Sequence, residues 1–158
     1  DYGIDAQGNF AFTFKNFTLD GPDGNVSGRY GLKVWGDNAT AIIEDVSVTG
    51  AGSSGIDLNG LVGGTVRNVS SVGALGGAGI ALSDCSNIAL ENITTNGNAW
   101  GGIALYTKGE YSTGGSDNIS LLGTNSFGEP VPLYIEVDNF TSPTNPYPVT
   151  NFTQSMFP

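Results

Sequence analysis

A short segment recurs through the chain at an almost constant spacing, and this repeat constrains the fold more than any other feature of the sequence. Four copies begin with glycine followed by isoleucine or leucine, and they start at Gly31, Gly55, Gly79 and Gly102, in steps of 24, 24 and 23 residues. Similar segments start at Gly3 and at Pro132, 28 residues before and 30 residues after these four. A fixed period of this length is typical of a stacked array of structural repeats.

Each repeat alternates apolar and polar residues over short stretches that are separated by turn residues. In one repeat the apolar positions are Ile80 and Leu82, then Ile88 and Leu90, then Ile93. Such short strands leave no room for crossover helices, so each strand is expected to pair in parallel with its copy in the next repeat. The pattern predicts an all-β parallel β-helix of about five to six coils of roughly 24 residues, with three parallel sheets.

The β-helix is predicted to span residues 1–137, which contain the six copies of the repeat. Residues 138–158 are rich in proline and aromatic residues and are predicted to form an irregular cap or linker. The chain begins at Asp1, almost directly before the first predicted strand, so we expect further coils, another domain or another subunit to cover the N-terminal strand edge.

Outward positions of the aligned repeats support this register, because a slip of one residue would turn every side chain to the other face. Charges of opposite sign alternate from one repeat to the next along the second strand, as expected for stacked neighbours. This column contains Lys15, Glu44, Arg67 and Glu91. The first strand has a similar column, Asp5, Lys33 and Asp57.

The bend after the second strand carries asparagine or aspartate in four repeats, at Asn16, Asp45, Asn68 and Asn92. These residue types tolerate left-handed backbone, and their amides can stack. We expect an asparagine ladder, with the side chains of Asn16, Asn68 and Asn92 turned inward.

Eight Asn-x-Ser/Thr sequons occur in the chain, and three of them coincide with this ladder. A side chain held in a ladder is a poor acceptor for a glycan. In a source cell that glycosylates, the better acceptors are expected in loops, at Asn25, Asn139 and Asn151.

Composition excludes several classes of partner. The net charge is −10 and the five basic residues are scattered, so no basic stripe is available for nucleic acid. The chain has no apolar run long enough for membrane insertion and no signal-peptide pattern, and we expect it to be a piece of a larger product. It has no histidine, which excludes the usual zinc sites, and its single Cys85 is expected to be small and partly buried.

The most complete repeat runs Gly79-Ile80-Ala81-Leu82, then Asn87-Ile88-Ala89-Leu90-Glu91-Asn92-Ile93-Thr94. Over residues 3–137 the sequence resembles the pectate-lyase-like superfamily of right-handed parallel β-helices. That superfamily includes polysaccharide lyases, alginate epimerases, glycoside hydrolases, phage tailspikes and surface adhesins. The resemblance implies a right-handed coil, a secreted, cell-surface or virion location and a glycan partner, but it names no reaction.

In enzymes of this superfamily the saccharide usually lies along the outer face of the first sheet. The resemblance therefore makes Gln7, Trp35, Asn59 and Tyr106 candidate glycan-binding residues, with Lys108 in the loop that follows. Trp35 and Tyr106 offer flat rings, and the two amides can bond to hydroxyl groups. The alternative is that strand surfaces favour aromatic residues for packing alone.

The candidate catalytic residues are Lys33, Asp5 and Asp57. A lyase or epimerase needs a base and a cation beside the sugar carboxylate, and Lys33 is the basic residue between the two acids. A lysine flanked by two carboxylates has its ammonium form stabilised, which suits a structural ion pair better than a base. Asp5 and Asp57, two strands and about 9.6 Å apart, could instead serve as a hydrolase pair.

The loop containing Asp20 and Asp23 is rich in oxygen ligands and is a candidate calcium site, although no cofactor is required. Two functions remain open from the sequence. The first is a carbohydrate-facing or structural module of a secreted or surface protein. The second is a fragment of a polysaccharide-active enzyme, a lyase, C5-epimerase or glycoside hydrolase.

Overall fold

The computed structural model describes residues 3–21, 28–106 and 116–136 and the backbone of residues 153–154. These residues form eleven strands and no helix, and so no helix among them could cross a membrane. The strands are β1 (Ile4–Gln7), β2 (Ala11–Asp20), β3 (Leu32–Thr49), β4 (Ile56–Val72), β5 (Ile80–Ser83), β6 (Ser86–Asn96), β7 (Ile103–Tyr106), β8 (Asp117–Leu122), β9 (Ser126–Phe127), β10 (Leu133–Ile135) and β11 (Thr153–Gln154).

Every strand pair among the described residues is parallel, and each repeat pairs with the next as the sequence alignment predicts. The first strands of six repeats stack in the order β1, β3, β4, β5, β7 and β10. Their first apolar residues are direct partners: Ile4, Leu32, Ile56, Ile80, Ile103 and Leu133. In this parallel pairing each repeat adds one rung, that is, one strand, to each stack. Such an arrangement is compatible with a β-helix or another solenoid.

The pairing connects all eleven strands into one sheet, whereas the sequence predicted three separate ones. The difference arises because β3 and β4 continue through their bends. Asn38 and Asp45 in β3, and Gly60 and Asn68 in β4, have positive φ angles between 52° and 79°, which redirect the chain without ending the strand. Each of these long strands is thus divided into three segments.

Apolar side chains from successive repeats stack into one core. Leu58, Leu82 and Leu105 are direct partners in neighbouring rungs, and all three are fully buried. Burying each such side chain contributes about 1.5–3 kcal/mol. Cys85 belongs to this core and is fully buried, so the expectation of partial burial is wrong; loss of solvent raises the pKa of its thiol to about 12.

Close approach between neighbouring rungs explains why glycine begins the repeat. A Cβ atom at Gly79 would lie 2.8 Å from the carbonyl oxygen of Gly102 and 2.7 Å from Nδ2 of Asn98. The same construction at Gly55 meets the carbonyl oxygen of Gly79 at 2.8 Å, and at Gly31 it meets the carbonyl oxygen of Gly55 at 2.6 Å. A side chain at these positions would push against the backbone of the adjacent rung.

We therefore expect Gly79→Ala to lower the free energy of unfolding by about 1–3 kcal/mol, the usual cost of overpacking. Gly63→Ala is the matched control, because the nearest atom to its added Cβ would be Cγ2 of Thr40 at 3.7 Å. Urea denaturation of both variants measures the difference. Equal stability of the two variants would show that the close approach at Gly79 is relieved at no cost.

The predicted ladder of alternating charges is confirmed. Lys15, Glu44, Arg67 and Glu91 are partners on four consecutive rungs. Oε2 of Glu44 lies 2.7 Å from Nζ of Lys15, and Glu44 forms a second ion pair with Nη2 of Arg67. Hydrogen bonds from these two cations hold the pKa of Glu44 below its usual value.

Because the pKa of Glu44 is lowered on folding, its contribution to stability is present above the usual glutamate pKa and is lost as the pH falls. We expect the melting temperature of the native sequence to exceed that of Glu44→Gln near neutral pH, and the gap to narrow towards about pH 3. Thermal melts at several pH values test this expectation. A gap that stays constant or widens in acid would contradict it.

The asparagine ladder forms, but on the outside of the coil. Asn16, Asp45, Asn68 and Asn92 all have positive φ, and Asn92 donates to Asn68, which donates to Asp45, each at 3.0 Å. Asn16 and Asn68 are exposed and Asn92 is partly buried, so the predicted inward orientation is wrong. The left-handed bend lies at the surface, where the amides stack along the axis of the array.

A second contact between amide side chains was not predicted from the sequence. Asn87 and Asn118 also have positive φ, and Asn118 donates to Asn87 at 2.7 Å. The signal was present in the sequence, because each asparagine precedes an isoleucine, Ile88 or Ile119, and these two are partners in neighbouring repeats.

At the N-terminal end, β1 and β2 each pair with β3 alone among the described strands. The apolar side chains of Phe12, Phe14 and Phe17 are only partly buried there. At the other end, the segment 138–158 lies outside the described residues, except that β11 pairs with β8.

Candidate functional site

The candidate site is the outer face of the first strands, here called the first-strand face. It consists of the outward residues of β1, of Leu32–Trp35 in β3, of Ile56–Asn59 in β4, and of β5, β7 and β10. Its two columns contain Asp5, Lys33, Asp57, Ala81, Ala104 and Tyr134, and Gln7, Trp35, Asn59, Ser83, Tyr106 and Glu136. The structure therefore brings the predicted residues together in the predicted order.

The centre of this face is buried, whereas the sequence predicted an open strip. Lys33 and Asp57 are only 3% and 6% exposed, and Asn59 is buried beside them. Asp5 and Gln7, on the first rung, are exposed. For Lys33 the physical reason is the size of its neighbours, because the rings of Tyr30 and Trp35 lie against its ammonium group.

Lys33 shows how this burial arises. Its ammonium nitrogen lies 4.8 Å from the ring centroid of Trp35 and 5.1 Å from that of Tyr30. The same nitrogen is 4.0 Å from Oδ2 of Asp57. Two cation–π contacts and a carboxylate thus replace water around the charge.

The two acids beside Lys33 are bound to other side chains of the face. Nε1 of Trp35 donates to Oδ1 of Asp5 at 2.7 Å, which orients the indole ring over Lys33. Nδ2 of Asn59 donates to Oδ2 of Asp57 at 2.7 Å. These bonds organise the candidate catalytic residues as one cluster around Lys33.

A pair of tyrosines forms the other end of the face. The ring centroids of Tyr106 and Tyr134 are 5.9 Å apart, and the rings are inclined by 53°. Tyr134 is 42% exposed, which leaves its ring available to a ligand. The sequence analysis did not select Tyr134, although reading the Asp5 column as far as the last repeat would have found it.

The electrostatic surroundings of Tyr106 link this end to the Lys33 cluster. Burial raises the pKa of Tyr106, and the nearby Tyr134, Glu136 and Asp57 raise it further. Its phenol therefore remains a neutral hydrogen-bonding group.

Small side chains separate the two aromatic ends. Ala81, Ser83 and Ala104 lie on the rungs between Asp57 and Tyr134 and are buried. The middle of the face is therefore buried, and its exposed side chains, Asp5, Gln7 and Tyr134, lie towards its two ends.

An exposed apolar turn lies beside the face, just before its strands begin. Trp100 is 64% exposed, and Leu75 and Val131 are exposed on the rungs before and after it. The turn is held from within by Glu129, which accepts hydrogen bonds from Thr95 at 2.7 Å and from Nδ2 of Asn98 at 2.6 Å. This buried clamp was not predicted, because its residues lie on different rungs.

Among the other predicted residues, Asp20 accepts a hydrogen bond of 2.7 Å from Thr49, whereas Asp23 lies outside the described residues. In the part of the chain that the structure describes, no three histidine, cysteine, aspartate or glutamate side chains are grouped as a metal site. Lys108, Asn25, Asn139 and Asn151 also lie outside the described residues.

Comparison with known proteins finds no match to the chain among protein-family models, curated proteins or solved structures.

Proposed function

We propose that the chain is a right-handed parallel β-helix module of a secreted or cell-surface protein, with three faces, and that its first-strand face binds a glycan. The observation that carries the proposal is the exposed ring of Tyr134 beside Tyr106, at the end of a face that also holds Trp35. Aromatic rings of this kind stack on the apolar faces of sugars, and their polar tips bond to hydroxyl groups.

The remaining groups of the face suit the same ligand. Gln7 is an exposed amide on the first rung, and Trp100 presents an exposed ring in the turn that precedes β7. A rigid stack of paired strands holds these groups at regular intervals, which lowers the entropic cost of binding an extended chain.

Burial of Lys33 and Asp57, two of the three candidate catalytic residues, favours a binding or structural module over an enzyme. Lys33 contacts two aromatic rings and pairs with Asp57, so the two charges already balance each other within the protein. A base that must take a proton from a polysaccharide needs to come within hydrogen-bond reach of it.

The expected result of Tyr134→Ala is roughly tenfold weaker glycan binding, since loss of an aromatic contact of about 1.4 kcal/mol corresponds to that factor. A glycan array identifies a ligand, and calorimetry measures its affinity. Phe10→Ala is the control, because Phe10 is an exposed ring on the first coil, 66% exposed against 42% for Tyr134. A blank array, or equal losses in the two variants, would count against the proposal.

The second candidate function, a polysaccharide lyase, epimerase or hydrolase, is favoured by one observation. Tyr106 shares its electrostatic surroundings with Asp57 and Glu136, and clusters of ionisable groups in desolvated settings are typical of active sites. Incubation with uronate polysaccharides, with and without calcium, tests it by the absorbance of unsaturated products. Product formation that Lys33→Ala abolishes in a folded variant would establish the enzyme and overturn the non-catalytic function.

For the N-terminal strand edge, we propose coverage by further coils, another domain or another subunit. The partly buried Phe12, Phe14 and Phe17 and the single pairing of β1 and β2 support this proposal.

A further inference from the structure

We propose that the glycan recognised by the first-strand face is uncharged, a polymer of neutral sugars and not of uronates or sulfated sugars. This inference rests on the proposed function and specifies its ligand class. It is argued from the charges of the face, from the charges around it and from the groups that remain to contact a sugar.

The face carries more acidic than basic residues. Its charged members are Asp5, Lys33, Asp57 and Glu136, three acids and one base. The one base is 3% exposed and is held between two rings and Asp57. An anionic sugar would therefore meet a face whose net charge is negative, while the ammonium group lies beneath the surface.

Two segments that adjoin these strands in the sequence add no net charge to this balance. Residues 22–30 contain one acid and one base, Asp23 and Arg29, and residues 107–115 likewise contain Lys108 and Glu110. The remaining two bases, Lys15 and Arg67, both pair with Glu44 in the charge ladder of the second strands. With a net charge of −10, the whole chain repels anions at long range as well.

The aromatic and amide groups that the face offers to a ligand are neutral. Tyr134 and Trp35 provide rings, Gln7 provides an amide, and the phenol of Tyr106 stays protonated because its pKa is raised. Rings and uncharged hydrogen-bonding groups match the apolar faces and hydroxyl groups of neutral pyranoses. A uronate would require a cation or metal ion to balance each carboxylate.

The test compares soluble neutral polysaccharides, such as a glucan, a xylan and a mannan, with polygalacturonate and alginate, by affinity electrophoresis and calorimetry. Each is tested with calcium and with a chelator, at about 50 mM and about 500 mM salt. We expect binding of at least one neutral polymer, with an affinity that salt and chelator leave unchanged, and no binding of the acidic polymers.

The outcomes separate this inference from the proposed function. Preferential binding of an acidic polymer, with or without calcium, would overturn the inference while the proposed function stands. Absence of binding to any polymer would overturn the proposed function itself. Binding of a neutral polymer that Tyr134→Ala leaves intact would place the ligand elsewhere and overturn both.

A charge reversal tests whether the first-strand face itself excludes acidic glycans. Glu136→Lys is expected to introduce measurable binding of polygalacturonate, because it adds a base next to Tyr106 in the outward column. Glu91→Lys makes the same change in net charge, but on the second-strand ladder, and should not introduce such binding. Equal effects of the two variants would show that net charge, and not the face, excludes acidic glycans.

Discussion

Lys33→Met is expected to lower the free energy of unfolding by about 3–5 kcal/mol, the usual cost of removing one partner from a buried ion pair. The substitution keeps an unbranched side chain, one atom shorter than lysine, to pack between the rings of Tyr30 and Trp35. It removes the ammonium group 4.0 Å from Oδ2 of Asp57, and so leaves a carboxylate that is 6% exposed without that cation.

The control is the double variant Lys33→Met with Asp57→Asn. The new amide still offers an oxygen to Nδ2 of Asn59, which bonds to Asp57 at 2.7 Å in the native chain. Because no buried charge then lacks its partner, we expect the double variant to recover most of the lost stability. Urea denaturation of the native sequence, the two single variants and the double variant measures the coupling. Additive losses would show that the pair contributes little.

Leu82→Ala is expected to lower the free energy of unfolding by about 2–5 kcal/mol, because it leaves a cavity in the centre of the stack. Leu82 is fully buried between Leu58 and Leu105 on the neighbouring rungs. Ile42→Ala is the control, since Ile42 is exposed on the outer face of the second strand, and its loss should change stability by less than about 0.5 kcal/mol. A similar loss in both variants would contradict the assignment of the core.

The same variant tests how strongly the rungs depend on each other. In a linear array each repeat contacts only its neighbours, so a defect in the middle can separate the unfolding of the two ends. Trp35 and Trp100 lie on opposite sides of the Leu82 rung and can be followed separately by fluorescence after replacement of one of them by phenylalanine. We expect coincident transitions in the native sequence and separated ones in Leu82→Ala.

Much of the fold could be predicted because its determinants repeat. The stacked charges of Lys15, Glu44 and Arg67 follow directly from aligning the copies, and the structure pairs them on consecutive rungs. The glycine that begins the copies was recognised in the sequence as the start of the repeat. The reason for glycine there, close approach to the backbone of the next rung, became visible only in the coordinates.

The sequence predicted which residues form the candidate site, but it did not predict which of them are exposed to solvent. Alignment placed Lys33 and Asp57 on the outer face, and a position on an outer face usually means exposure. The burial of Lys33 depends on the rings of Tyr30 and Trp35, which lie over its ammonium group, and the orientation of such rings is decided by contacts between rungs. The outward position of the Asn68 amide is a similar case, because its direction depends on a left-handed bend.

By itself, the sequence determined which residues stack, because pairing in register is dictated by a pattern that recurs along the chain. Only the tertiary structure decided which of the stacked side chains water can reach. The period of the sequence decides to which side of the strand a side chain points. The exposure of that side chain to water depends on the volume and rotamers of its neighbours one rung away. For that reason Tyr134 is exposed and Lys33 is buried, although both lie in the same column.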